Sequence, residues 1–141
     1  MICIIRIRGD VKLDGDIRET FNRMHLRRKY SCIVINPNKE QLGMIKKLED
    51  FTAFGEIRKD IFEKLIDIRG ERIGGKSGAK KDSKKVVEEV EKGKSYQSLG
   101  FKPFFRLHPP RGGIKSSKRH FPRGVLGNNG EKINDLLLRM L

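Results

Sequence analysis

Ile2-Cys3-Ile4-Ile5-Arg6-Ile7-Arg8, closed by Gly9, is the stretch whose reading decides the fold. Side chains alternate across a strand. Cys3, Ile5 and Ile7 therefore face one way, and Ile4, Arg6 and Arg8 face the other. The pattern predicts a half-buried strand with basic residues on its open face. Downstream, Asp16 followed by Glu19 reads as a capping box, and Ile17, Phe21 and Met24 recur at helical spacing. Leu26-Arg27-Arg28-Lys29 closes that helix with cations, which suit the negative end of the helix dipole. Ser31 to Ile35 reads as a second strand. Asn36-Pro37-Asn38 is a turn, and Asn38 with Gln41 forms a second capping box. Leu42, Ile45 and Leu48 supply the inner face of a second helix. Phe51 to Phe54 reads as a third strand, ended by Gly55.

The order is thus β-α-β-α-β over residues 1–57. Two strand-helix-strand connections imply a small sheet with both helices on one face. The predicted class is α/β, an open sandwich equivalent to half of a ferredoxin-like fold. A core of that size is marginal alone. Residues 58–141 form an extension expected to support it. From Ile57 at the boundary, Ile57, Ile61, Leu65 and Ile68 mark an amphipathic helix that leads into it. Val86, Val87 and Val90 mark a short helix capped at Ser83. Phe101 to Leu107 reads as a strand, 109–130 as irregular loop, and Glu131 to Leu141 as a final helix.

Charge is distributed unevenly. The 141 residues carry a net charge of +14 with 36% hydrophobic and 35% charged residues. Between Glu91 and Glu131 there is no acidic residue at all, but nine lysines and arginines, four of the five prolines and seven of the fifteen glycines. Such composition allows a modest core and argues against a large enclosed active site. Cation on an extended, Pro/Gly-stiffened segment points to a polyanion partner, best met by a folded nucleic acid. A solvated charged tail would need neither the interleaved Phe104, Phe105, Leu107, Ile114 and Phe121 nor the fixed backbone of Pro109-Pro110 and Gly112-Gly113.

Other chemistry finds little support. Gly70-Glu71-Arg72-Ile73-Gly74-Gly75-Lys76-Ser77 matches a phosphate-binding loop, but that mechanism needs a strand before it and a helix after it. Here the preceding period is helical, so a flexible basic loop is expected rather than a nucleotide site. His25, His108 and His120 lack metal-ligand spacing. Cys3 and Cys32 lie in apolar runs and read as small buried hydrophobes. No carboxylate pair suggests acid–base catalysis. No catalytic residue, metal, cofactor or small-molecule substrate is therefore expected. No apolar run approaches a membrane span, and the N-terminus lacks a leader pattern, so an intracellular protein is expected.

Ile4-Ile5-Arg6-Ile7-Arg8-Gly9, Leu42-Gly43-Met44-Ile45, Asp50-Phe51-Thr52-Ala53-Phe54-Gly55-Glu56 and above all Phe105-Arg106-Leu107-His108-Pro109-Pro110-Arg111-Gly112-Gly113 resemble the archaeal form of the ribosomal protein L thirty family. Its eukaryotic members are called L seven. The resemblance spans the chain and includes the closing Asp135-Leu136-Leu137. It implies a structural constituent of the large (50S) subunit, in the cytoplasm, bound to large-subunit (23S) rRNA near the 5S rRNA region and to other ribosomal proteins. A non-ribosomal RNA-binding or RNA-chaperone module is the alternative.

On this reading Arg106, Arg111, Lys115, Lys118, Arg119 and Arg123 contact phosphates. His108 meets a base or sugar, and Gly112 and Gly113 permit close approach. Arg6, Arg8, Arg27 and Arg28 form a second patch on the core. The two regions are expected to read folded RNA by shape and backbone.

Overall fold

The computed structural model describes residues 1–74 and 82–141. Strand β1 (Ile2–Arg6) is followed by helix α1 (Gly15–Arg23), β2 (Ser31–Ile35), α2 (Lys39–Lys47) and β3 (Thr52–Glu56), the predicted β-α-β-α-β order. The extension adds α3 (Lys59–Arg69), α4 (Ser83–Glu91), β4 (Phe105–Arg106), β5 (Gly127–Asn128), a 3-10 turn (Gly130–Lys132) and α5 (Ile133–Met140).

The sheet order is β4-β2-β1-β3-β5. β1 lies antiparallel to both β2 and β3, with Ile4 opposite Ile33 on one side and Phe54 on the other. β2 and β3 are therefore parallel to each other, and β2-α2-β3 is a crossover that steps over β1. Both edge strands come from the extension. β4 runs antiparallel to β2, with Phe105 opposite Cys32, and β5 runs parallel to β3, with Ala53 opposite Gly127. β4 is shorter than the predicted 101–107 strand. Phe101 makes only an isolated bridge with Arg72, and the chain bends at Pro103 before pairing.

Helices α1 and α2 share one face, as expected. Ile4 and Ile33 of the sheet bury Phe21, Met24, Leu26, Ile45 and Leu48 there. The opposite face is covered as well. Cys3, Ile5, Ile7, Cys32 and Val34 pack against Ile61, Phe62, Leu65 and Ile66 of α3, Val86, Val87 and Val90 of α4, and Leu136, Leu137 and Met140 of α5. Each fully buried residue of this kind contributes roughly 1.5–3 kcal/mol, so the extension supplies the second layer that a short sheet needs. Gly55 allows that layer to close. A Cβ there would meet the Gly130 carbonyl oxygen and the Ile133 side chain. Buried Asn134 stitches the junction: its Nδ2 donates to Glu56 O at 3.0 Å, and its Oδ1 accepts from the Arg58 N–H at 3.0 Å.

Several local expectations change. The strand β1 is not half-buried, because both faces are covered. Helix α1 starts two residues earlier than Asp16 implies: Asp14 is the N-cap without a side-chain bond, and Glu19 pairs with Arg23 at 2.6 Å instead. The Asn38–Gln41 box forms, with both reciprocal bonds present. Leu42 and Ile68 are exposed, whereas Phe62 and Ile66 are buried. At the short helix, Asp82 rather than Ser83 is the N-cap.

Candidate nucleic-acid interface

Connectivity brings the expected residues to one end of the sheet. β1 finishes there, and β2 and β3 begin there. Arg8 follows β1, Arg27 and Arg28 precede β2, and Arg106 pairs with Ser31, the first residue of β2. β4 leaves and β5 enters at this same end. The segment 107–126 must therefore cross from one edge of the sheet to the other along it.

Backbone bonds hold the crossing. Leu107 N–H donates to Tyr30 O, His108 N–H to Met140 O, and Arg111 N–H to Arg139 O. Arg139, in the last turn of α5, returns a guanidinium bond of 2.7 Å to Gly113 O. The Pro110–Gly113 turn is closed by the Gly113 N–H on Pro110 O at 3.1 Å. Gly112 and Gly113 sit at φ 78° and 74°, the left-handed region that a side chain would strain. Further on, the Val125 N–H bonds Ser116 O and the Leu126 N–H bonds Arg119 O, folding the loop on itself. His120 pins it to the start of β3, with Nε2 at 2.7 Å from Asp50 Oδ1.

With the backbone held, the side chains of Arg111, Lys115, Lys118, Arg119 and Arg123 point to solvent, as do Arg8, Arg27, Arg28 and Arg106. None of these nine takes part in an ion pair among the described residues. Some cations elsewhere, among them Arg23, Lys47, Lys59 and Lys102, do have carboxylate partners. The acids at the basic end are engaged: Asp10 by Arg6, and Glu49 and Asp50 by His120. Nine exposed cations outnumber the carboxylates there, so the field is left positive.

Arg6 is the exception among the expected contacts. It is 1% exposed, on the face covered by α1. Its Nε donates to Arg8 O at 2.9 Å, its Nη1 to Leu26 O and Arg27 O at 2.9 and 2.7 Å, and its Nη2 to Asp10 at 2.6 Å. Its guanidinium also lies 4.0 Å over the Phe21 ring. Arg6 cannot serve as an open-face contact; it fixes the backbone that presents Arg8 and Arg27. His108 is half-buried, with Nδ1 2.6 Å from Pro109 O.

Arg106 does not stand with the loop cations alone. It shares a cleft of about 360 Å³ with Arg27 and Arg28, joining the two patches that sequence kept apart. His120, Arg139 and Phe104 were not assigned these roles from sequence. The only available signal was the position of Arg139 near a helix end and of His120 and Phe104 inside the acid-free run. Of the phosphate-loop match, Gly75, Lys76 and Ser77 lie outside the described residues. The segment before it is helix α3, not the strand that mechanism requires. Among the described residues no His, Cys, Asp and Glu cluster could hold a metal ion, and no helix is long and apolar enough to cross a membrane.

The fold and this end of it define a basic α/β protein whose unpaired cations are displayed on a braced surface. A family model described as Ribosomal protein L30p/L7e matches residues 2–51. Relatives named large ribosomal subunit protein uL30 match nearly the whole chain. The one from Archaeoglobus fulgidus is 38% identical, covering 99% of both chains. That from Methanococcus vannielii is 39% identical, over 98% of this chain and 97% of its own. That from Aeropyrum pernix is 36% identical, over 100% and 99%. The chain belongs to the uL30 family of large ribosomal subunit proteins.

Proposed function

We propose that this protein is a structural constituent of the large ribosomal subunit that binds large-subunit rRNA through the basic end of its sheet. Membership of the uL30 family places its work on the cytoplasmic ribosome. The observation that carries the RNA reading is the gathering of nine exposed cations at one end of the sheet. None of them has an ion pair among the described residues, and those of the crossing segment stand on a backbone already held by hydrogen bonds. A surface built this way neutralises phosphates without first ordering itself, which lowers the entropic cost of binding.

Arg8, Arg27, Arg28 and Arg106 form its core-side half. Arg111, Lys115, Lys118, Arg119 and Arg123 form its loop side, and Gly112 and Gly113 keep the backbone low enough for close approach. His108 offers a base or sugar its ring rather than its nitrogens, since Nε2 is buried and Nδ1 lies against Pro109 O. Position near the 5S rRNA, and contact with other large-subunit proteins, follow from the family resemblance. No residue is given a catalytic role and no cofactor is required.

If about six cations pair with phosphates, log K for rRNA falls against log salt with a slope of roughly −4 to −5. Co-sedimentation with large subunits in moderate salt is the companion test. A salt-independent affinity, or sedimentation apart from the subunit, overturns the reading.

A further inference from the structure

The cleft that joins the two cation patches holds more than phosphate chemistry. Its volume is about 360 Å³, enough for one small organic ligand. Arg27, Arg28 and Arg106 line it without a carboxylate among its walls. Phe104 and Pro103 give it an apolar side. Phe104 is half-buried against the α1/α2 cluster, so its ring is fixed before any ligand arrives. The Arg106 guanidinium stands 5.7 Å from the centre of that ring. Gln97 and the buried Ser31 add neutral donors and acceptors to its lining.

The walls are braced. His25 and Tyr30, at the two ends of the turn carrying Arg27 and Arg28, adopt φ 58° and 64°. Neither is glycine, and a side chain strains that left-handed conformation. The buried Arg6 guanidinium holds the carbonyls of Leu26 and Arg27 between them. Strain of this kind persists only where surrounding structure enforces it.

Phosphate contacts alone have no use for an aromatic side. Single-stranded RNA bases, by contrast, stack on aromatic rings and arginine planes. We infer that this cleft receives one unstacked nucleotide of the RNA, its base on Phe104 and Pro103 against Arg106, its phosphate held by Arg27 and Arg28. Gln97 and Ser31 face the base edge. The inference rests on the RNA-binding reading above and specifies a site within it.

The chain contains no tryptophan, so Phe104→Trp installs a single fluorophore in the cleft. Titration of the full-length variant with deproteinised large-subunit rRNA should quench its emission at the concentrations where filter binding saturates. Leu42→Trp, at an exposed position early in α2 and at the opposite end of the sheet, serves as reference and should change little. Phe104→Leu keeps apolar packing but removes the stacking face. It should weaken filter binding roughly 5- to 100-fold without altering the salt slope, whereas Arg28→Ala should reduce the slope. Normal binding of Phe104→Leu with an unquenched Phe104→Trp overturns the nucleotide cleft and leaves the RNA-binding reading intact. Failure of the unaltered chain to bind rRNA overturns both.

Discussion

The strand-helix core and the crossing segment 107–126 are held together by opposite means. In the core, side chains do the holding: Ile4, Phe21, Leu48 and their neighbours are buried between sheet and helices. In the crossing segment the backbone does it, through bonds such as those from His108 to Met140 and from Leu126 to Arg119, and most side chains are left outside. One region stores its free energy in burial. The other keeps its charged groups unengaged. Stability and binding should therefore separate when residues are changed one at a time.

The sharpest break would come at Phe105, which belongs to both regions. It is 1% exposed, pairs in β4, and meets Phe62 and Tyr96 edge-on at 6.5 and 6.0 Å. Phe105→Ala should cost roughly 3–5 kcal/mol by chemical denaturation. It should also loosen the entry to the crossing segment, so RNA affinity falls with it. A loss well below 2 kcal/mol would mean that β4 is not a working part of the core.

Next in size is Arg6→Met, which tests whether a cation can belong to the core. The substitution retains an apolar stem over Phe21 but leaves the Leu26 and Arg27 carbonyls without their partner. Asp10 is exposed and costs little when unpaired. A destabilisation of roughly 2–3 kcal/mol is expected. Weaker rRNA binding should follow, with an almost unchanged salt slope, since Arg6 meets no phosphate. A slope that drops by a full contact would return Arg6 to the interface.

The misplacement of Arg6 shows where sequence reasoning stops. Alternation along Ile2–Arg8 correctly gives a strand, because that period is local. It cannot show that both faces are covered, because the second layer comes from residues such as Phe62, Val87 and Leu137, far along the chain. The same limit hid β5: Gly127-Asn128 has no strand propensity and pairs only because β3 offers an open edge. Helix phase was legible only in part: on α3 Ile68 was expected inside where Phe62 and Ile66 are buried instead, and on α2 Leu42 turns out exposed. The Arg111–Arg123 cations were legible because composition alone marks them. That Arg27, Arg28 and Arg106 share one cleft depends on the β2–β4 pairing, which no local pattern encodes.

A smaller effect tests the core through pH. The Tyr96 hydroxyl donates to Val34 O at 2.6 Å. Burial pushes its ionisation far above the ordinary phenol range, with Cys32 and Cys3 adding to the shift. Burial likewise pushes the Cys32 thiol up, helped by its hydrogen bond with Cys3. Both groups stay neutral in the native chain while the unfolded chain ionises them, near pH ~8.5 for a thiol and ~10 for a phenol. The native state then binds more protons, so stability present at neutral pH is lost as pH rises through that range. Tyr96→Phe should cost about 1 kcal/mol at pH 7 and flatten the loss above pH ~10. An unchanged alkaline limb would show that Tyr96 is not its source.

Arg111→Ala should move stability least, and it tests the other half of the comparison. The turn at Arg111 is held by its own N–H on Arg139 O and by Arg139 on Gly113 O, none of which involves its side chain. The guanidinium is exposed and has no ion pair among the described residues. Denaturation midpoints should therefore stay within about 0.5 kcal/mol of the unaltered chain. RNA binding should weaken, and the salt slope should become shallower by roughly 0.7–0.9, the share of one phosphate contact. Gly112→Ala at the neighbouring position should do the reverse, straining the turn at φ 78° while removing no charge. If Arg111→Ala destabilises the fold while binding and slope persist, the crossing segment is held by its side chains after all, and the division between the two regions fails at its clearest point.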